Sequence, residues 1–98
     1  MLASCKRTDV SGTVFSKHNT PIANVQISLR KYNKYEHQVK WVNEIATTDE
    51  AGKFAFSFNA TQTRAHYYIF ICHSDSGQGS GKKRIVPGQT NVIDVLLN

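Results

Sequence analysis

The residues of this chain best suited to chemistry are four histidines, two cysteines and a scatter of serines. A zinc site needs three or four ligands converging at ~2 Å, and the spacing works against convergence. Cys72 and His73 are adjacent, so on a strand they face opposite sides. His66 and Cys72 share a face but stand roughly 20 Å apart at ~3.3 Å per residue. His18 and His37 fall in loops, and no metal or other cofactor is expected. A serine nucleophile has no Gly-x-Ser-x-Gly elbow opening a helix. Gly77-Gln78-Gly79-Ser80-Gly81-Lys82-Lys83 has the glycines of a phosphate loop without its four-residue gap, its Ser or Thr after the lysine, or the helix whose amides would hold phosphate. No catalytic residue is nominated, and a non-enzymatic chain is expected.

Binding is the remaining chemistry. Twelve Lys and Arg against seven Asp and Glu leave a formal charge of +5, so attraction to polyanions or anionic surfaces follows. The run Arg30-Lys31-Tyr32-Asn33-Lys34-Tyr35-Glu36-His37-Gln38-Val39-Lys40-Trp41 interleaves bases with rings, as single-strand nucleic-acid platforms do. A long hairpin with solvated charges and half-buried rings explains the same run, and basic solvated faces are common enough to favour it. Nucleic acid is therefore the disfavoured partner. Tyr32, Tyr35, His37 and Trp41 form the candidate binding surface, because aromatics offer large contact area at small entropic cost to a sugar or a protein. For Trp41, burial in the core is the competing reading.

Met1-Leu2-Ala3-Ser4-Cys5 is similar to the end of a bacterial lipoprotein signal, where small residues let a peptidase reach the backbone ahead of a cysteine that becomes lipidated. Lipidation of Cys5 is expected on this pattern, although the charged and long apolar parts of a signal are not in the sequence. Residues 1–8 then read as a polar tether and residues 9–98 as the folded domain. No stretch approaches the ~20 apolar residues of a spanning helix, so contact with the membrane is expected through the lipid alone. Two cysteines do not make a disulfide framework. With Cys5 acylated, Cys72 is left as a packed thiol.

These side chains must be positioned by strands, since Val, Ile, Phe, Tyr and Thr dominate the apolar segments and turn residues interrupt them about every ten residues. Residues 9–16 alternate, with Val10, Gly12 and Val14 on one face. Val25, Ile27 and Leu29 define a second strand, expected to pair antiparallel with the first across the turn at Asn19 to Pro21. Residues 38–47 form a third strand. Asp49 to Gly52 is a hairpin turn in which the Asp side chain bonds amides further on and Gly supplies a left-handed residue. Phe54, Phe56 and Phe58 then share one face. Residues 66–73 are apolar on both parities, as in a strand central to its sheet or covered on both sides. Residues 82–86 and 91–97 complete seven strands, which predict an antiparallel β-sandwich of a single domain.

The order and spacing of Gly12, Val14, Pro21, Ile22, Val25, Ile27 and Leu29, then Thr48, Asp49, Gly52, Phe54 and Phe56, then Tyr67, Ile69 and Ile71, and finally Gly88, Val92, Val95 and Leu97 resemble the carboxypeptidase regulatory-like domains. Those are small β-sandwiches of transthyretin-like topology, so the resemblance implies an immunoglobulin/transthyretin-like Greek key. The hydroxyisourate hydrolase of the same topology ends in Tyr-Arg-Gly-Ser, whereas this chain ends in Asp94-Val95-Leu96-Leu97-Asn98. The resemblance implies an accessory, structural or recognition module of a bacterial cell envelope, on the outer membrane or the periplasmic face, with an envelope protein or a glycan as partner. The alternatives are a small-molecule or nucleic-acid binding module with a basic surface, or a transthyretin-like oligomer that holds a ligand in a central cleft.

Overall fold

A computed structural model describes residues 4–35, 39–62, 66–74, 77 and 79–97. The described chain is all β, with strands β1 (Ser4–Phe15), β2 (Gln26–Asn33), β3 (Val39–Thr47), β4 (Lys53–Gln62), β5 (His66–His73), β6 (Lys83–Ile85), β7 (Thr90–Val92) and β8 (Val95–Leu96). They form two sheets. In the first, β1 lies between β4 and β7, with β8 also paired to β1; in the second the order is β3-β2-β5-β6. The sheets share one core, in which Val10, Val14 and Phe54 of the first meet Ile27, Phe70 and Ile85 of the second. Phe54 and Phe70 touch across it with ring centroids 5.6 Å apart. Among the described residues no helix is long and apolar enough to cross a membrane.

Three expectations change. Eight strands stand where seven were expected, because the last segment splits at Ile93 and Asp94: the Ile93 amide donates to the Ser11 carbonyl, and Asp94 Oδ1 accepts from the Thr13 amide at 3.0 Å. The second strand is not the first strand's partner. β1 pairs antiparallel with β4 and parallel with β7 and β8, while β2 pairs with β3 and β5. The connection starts as a turn, with a bridge from Phe15 to Pro21, and then passes to the other sheet through Asn24, whose φ is 61°. Buried Thr48 fastens that passage, its Oγ1 donating to the Ile22 carbonyl at 2.7 Å and accepting from the Val25 amide at 2.9 Å.

The third change concerns the tether. β1 begins at Ser4, and Ser4 to Thr8 continue the ladder with β4, placing Cys5 opposite Thr61. Thr8 holds this end in place. It is fully buried, and its Oγ1 donates to the Lys6 carbonyl and accepts from the Gly88 amide at 2.9 Å. A buried hydroxyl with both capacities met is a stable core residue, although its polarity makes the segment read as a loop.

Candidate functional site

The outer surface of the second sheet is built by register. Along β2, Ile27 and Leu29 enter the core, so Arg30 and Tyr32 alternate with them towards the other side. Tyr32 pairs with Tyr67 of β5, and Arg30 pairs with Ile69, which pairs in turn with Arg84 of β6. The Tyr32 and Tyr67 rings stack at 5.0 Å with an interplanar angle of 8°. The Arg84 guanidinium carbon lies 4.3 Å from the Tyr67 centroid and Lys82 Nζ 5.2 Å from that of Tyr32. Ile69 is only 4% exposed although its side chain alternates with those of Tyr68 and Phe70. Arginine stems on either side in register account for that, since long basic side chains lay their methylenes along apolar surface and keep the charge in water.

The electrostatics of this face are one-sided. β2, β5 and β6 contain no Asp or Glu, and the outward row carries Arg30 and Arg84 with Lys82 beside it; Lys31 and Lys83 fall on the core-facing parity, and the sheet's acid, Glu44, lies on β3. The Arg30 guanidinium hydrogen-bonds the Tyr32 hydroxyl and holds its pKa below the ordinary tyrosine value; burial pushes the other way, and Lys82 adds to the lowering. A hydroxyl in that setting is a strong donor facing an array of fixed cations. The arrangement favours oxyanions, because cations spaced on a rigid sheet lose little freedom when an anion is taken up. Base stacking is poorly served, since each tyrosine ring already has another ring and a cation against it.

The four aromatic and histidine candidates fall in different places. Tyr32 is part of this face. Tyr35 stands in the turn after β2, 77% exposed, with its amide bonded to Asn33 Oδ1 at 2.9 Å. Trp41 lies on β3 opposite Arg30, which puts its backbone in the same row as Ile69 and Arg84. His37 lies outside the described residues. Tyr67 and Arg84 were not nominated from sequence. Their only signal is the basic-aromatic composition of three segments whose adjacency depends on pairing.

The remaining titratable groups are dispersed. His18 sits in an exposed turn, and His66 and His73 occupy opposite ends of β5, bonded to Asn33 at 3.4 Å and Gln26 at 3.2 Å. Among the described residues no three His, Cys, Asp or Glu side chains gather as metal ligands. Cys72 is fully buried in the core, and burial raises its pKa to about 11, with Ser80 and Lys83 opposing. The glycine-rich loop is fixed to the end of β5 by Ser80, whose Oγ accepts from the Cys72 amide and whose amide donates to the Cys72 carbonyl. A groove of about 460 Å³ opens between the sheets, lined by Leu29, Val42, Phe58 and Tyr68 with Lys31, Asn59 and Thr61.

No family model matches this sequence, and no curated protein matches it. Solved structures do. The dioxygenase domain of a dioxygenase carbohydrate-binding protein fusion from the cellulolytic bacterium Streptomyces sp. SirexAA-E superposes with a TM-score of 0.57 at 13% identity, covering 95% of this chain and 80% of that one. Chlorocatechol 1,2-dioxygenase from Pseudomonas putida gives 0.57 at 10% identity, covering 95% of this chain and 60% of that one. These likenesses overturn the expectation of a non-enzymatic chain. Dioxygenases are built on this sandwich, so a missing serine elbow or phosphate loop has no weight against catalysis. At such identities the fold is what is shared.

Proposed function

We propose that this chain is a recognition module of the bacterial cell envelope that binds an acidic glycan on the outer face of the β3-β2-β5-β6 sheet. The observation that carries the proposal is the Tyr32–Tyr67 stack with Arg84 and Lys82 against it, on a sheet whose β2, β5 and β6 contain no acid. Carboxylates or sulfates along a polysaccharide would meet Arg84 and Lys82, and its hydroxyls would meet the tyrosine hydroxyls. Arginine suits this role through its planar fork, which engages an oxyanion with two parallel bonds.

Lipidation of Cys5 and the carboxypeptidase regulatory-like, Greek-key reading belong to the same proposal. The sheet orders support it, and so does the position of Cys5 near the end of β1, one residue from the Ser4–Gln62 pair. A lipid there would hold that end of the sandwich against the membrane without a free tether. Asn33 and His66 pair near the same end, so the turn bearing Tyr35 would also face the membrane, leaving the strand faces to the ligand.

Calorimetric titration with polygalacturonate, dextran sulfate and neutral dextran tests the proposal. Binding to one or both acidic polymers, weakened by salt and reduced about tenfold or more by Arg84→Ala, is the expected result. Equal binding to neutral dextran, or equal losses for Arg84→Ala and for Lys17→Ala in the distant β1–β2 connection, would overturn it.

A further inference from the structure

The first sheet ends in an edge that the other edges of the molecule make conspicuous. β3 is broken by a bulge, where pairing advances two residues on β2 and four on β3 and Glu44 takes a φ of 55°. β6 has three residues, two of them Lys83 and Arg84, and β7 and β8 are shorter than four residues each. Bulges, charges and brevity are the usual ways of blunting a sheet edge. β4 has none of these between Phe54 and Thr61, where Phe54-Ala55-Phe56-Ser57-Phe58-Asn59-Ala60-Thr61 contains no charge, proline or glycine. Among the described residues it is paired on one side only, to β1.

Hydrogen-bond parity shows which groups face outwards. The Val14 amide donates to the Gly52 carbonyl, so the bonded pairs of β1 and β4 continue through Gly12 with Phe54, Val10 with Phe56 and Thr8 with Phe58. The amides and carbonyls of Lys53, Ala55, Ser57, Asn59 and Thr61 therefore point away from β1. Two of these five positions are engaged from within the chain, Lys53 through both its groups and Thr61 through its amide. Lys53 donates to Asp49 Oδ1 and accepts from the Asp49 amide, and the Thr61 amide donates to the Tyr68 hydroxyl at 2.8 Å. Ala55, Ser57 and Asn59 remain, all exposed. The engaged positions stand four residues to either side of Ser57, so the open window is symmetric about that residue.

We infer that β4 pairs with β4 of a second copy, antiparallel, about a two-fold axis at Ser57. In this register Ser57 faces the partner's Ser57 and Ala55 faces the partner's Asn59. Each copy gives three amides and three carbonyls, and no described charged side chain lies in the paired window. A two-fold axis needs a self-complementary strip, and the symmetry of this window supplies one. An arbitrary extended peptide would need only an open edge and would leave the matched stops at Lys53 and Thr61 without a role.

Sedimentation velocity across a concentration series, together with cysteine cross-linking in a Cys5→Ser background, tests the inference. Wild type should pass from monomer to dimer as concentration rises. Ser57→Pro removes one outward amide and no β1 bond, because proline is tolerated where its nitrogen faces off the sheet. Ser57→Lys keeps the backbone and sets two like charges across the axis. Each should weaken dimerisation by about tenfold or more. Ser57→Cys should form an intermolecular disulfide on mild oxidation and Asn59→Cys should not, because only position 57 meets its own copy within bonding range. A wild type that stays monomeric up to about 1 mM, a dimer unmoved by both Ser57→Pro and Ser57→Lys, or cross-linking equal at positions 57 and 59 would overturn the pairing.

Discussion

The two sheets give the same thing to the core and different things to solvent. Phe54 from the first and Phe70 from the second are buried to 4% and 0% exposure and meet across the interface. Outwards, the first sheet presents Ser11, Thr13, Ala55, Ser57 and Asn59 with charges of both signs, Arg7, Asp9 and Lys53, whereas the second presents two tyrosines, two arginines and a lysine without an acid on β2, β5 or β6. Packing explains the first kind of residue fully. It does not explain why a solvent-facing sheet should concentrate one sign of charge, because like charges on neighbouring strands oppose one another. That asymmetry is the ground for proposing the second sheet as the binding face.

The comparison breaks most visibly if the two core faces are not equivalent. Phe54→Ala and Phe70→Ala should each cost about 3–5 kcal/mol in denaturant unfolding, since each removes a ring from the same close-packed interior. A loss confined to one of them would mean that the sheets do not share a core. Next comes Gly12, where an added Cβ would run into the Ile93 carbonyl. Gly12→Ala should cost about 1–3 kcal/mol, because backbone cannot move aside as a side chain tip can.

Smaller effects follow from titration and separate the core-facing and outer sides of the second sheet. Burial raises the Cys72 pKa from 9.0 to about 11, so the folded state holds that proton more tightly than the unfolded one. Its contribution to stability is complete below pH 9 and is lost as pH rises towards 11. Chemical unfolding of wild type and Cys72→Ala across that window should differ in slope, with the variant lacking this loss. Tyr32 has the opposite sign. Its lowered pKa favours the folded state above the ordinary tyrosine value, and that gain disappears as pH falls through the folded value. Ultraviolet titration should find one tyrosine ionising early in wild type and not in Arg30→Met. The smallest effect is on stability at the proposed binding face, where Arg84→Ala should cost about 0.5–1 kcal/mol through the lost ring contact and the uncovering of Ile69.

Much of the architecture could be read from residue types alone. Alternation identified the core-facing parity of Val25, Ile27, Leu29, Phe54, Phe56 and Phe58. The turn at Asp49 was legible because Asp and Gly have specific backbone chemistry: Asp49 Oδ1 accepts from the Ala51 and Lys53 amides at 2.9 Å, and Gly52 has a φ of 76°. Pairing was not legible. Alternation says which way a side chain points and nothing about which strand lies beside it, so β2 was assigned to β1. A buried polar residue misled in the same way. Thr8 made the start of β1 look like a tether, whereas Asn91, read as part of the last strand, does lie in β7, where its buried side chain bonds the Val86 amide and the carbonyls of Asp9, Val86 and Gln89.

The candidate site shows the same division. Tyr32 was found within its own run of bases and rings, but Tyr67 and Arg84 come from distant segments that meet only through the β2-β5-β6 order. Tyr35, chosen from the same run as Tyr32, instead ends up in the turn beyond the strand.

The most direct test is to titrate polygalacturonate oligomers into isotope-labelled protein and follow backbone amides. The shifts should concentrate at Tyr32, Tyr67, Ile69 and Arg84 and leave Ser11, Thr13 and Ala55 unmoved. Shifts centred on the first sheet, or no shifts with any acidic oligosaccharide, would contradict the assignment of function to the second.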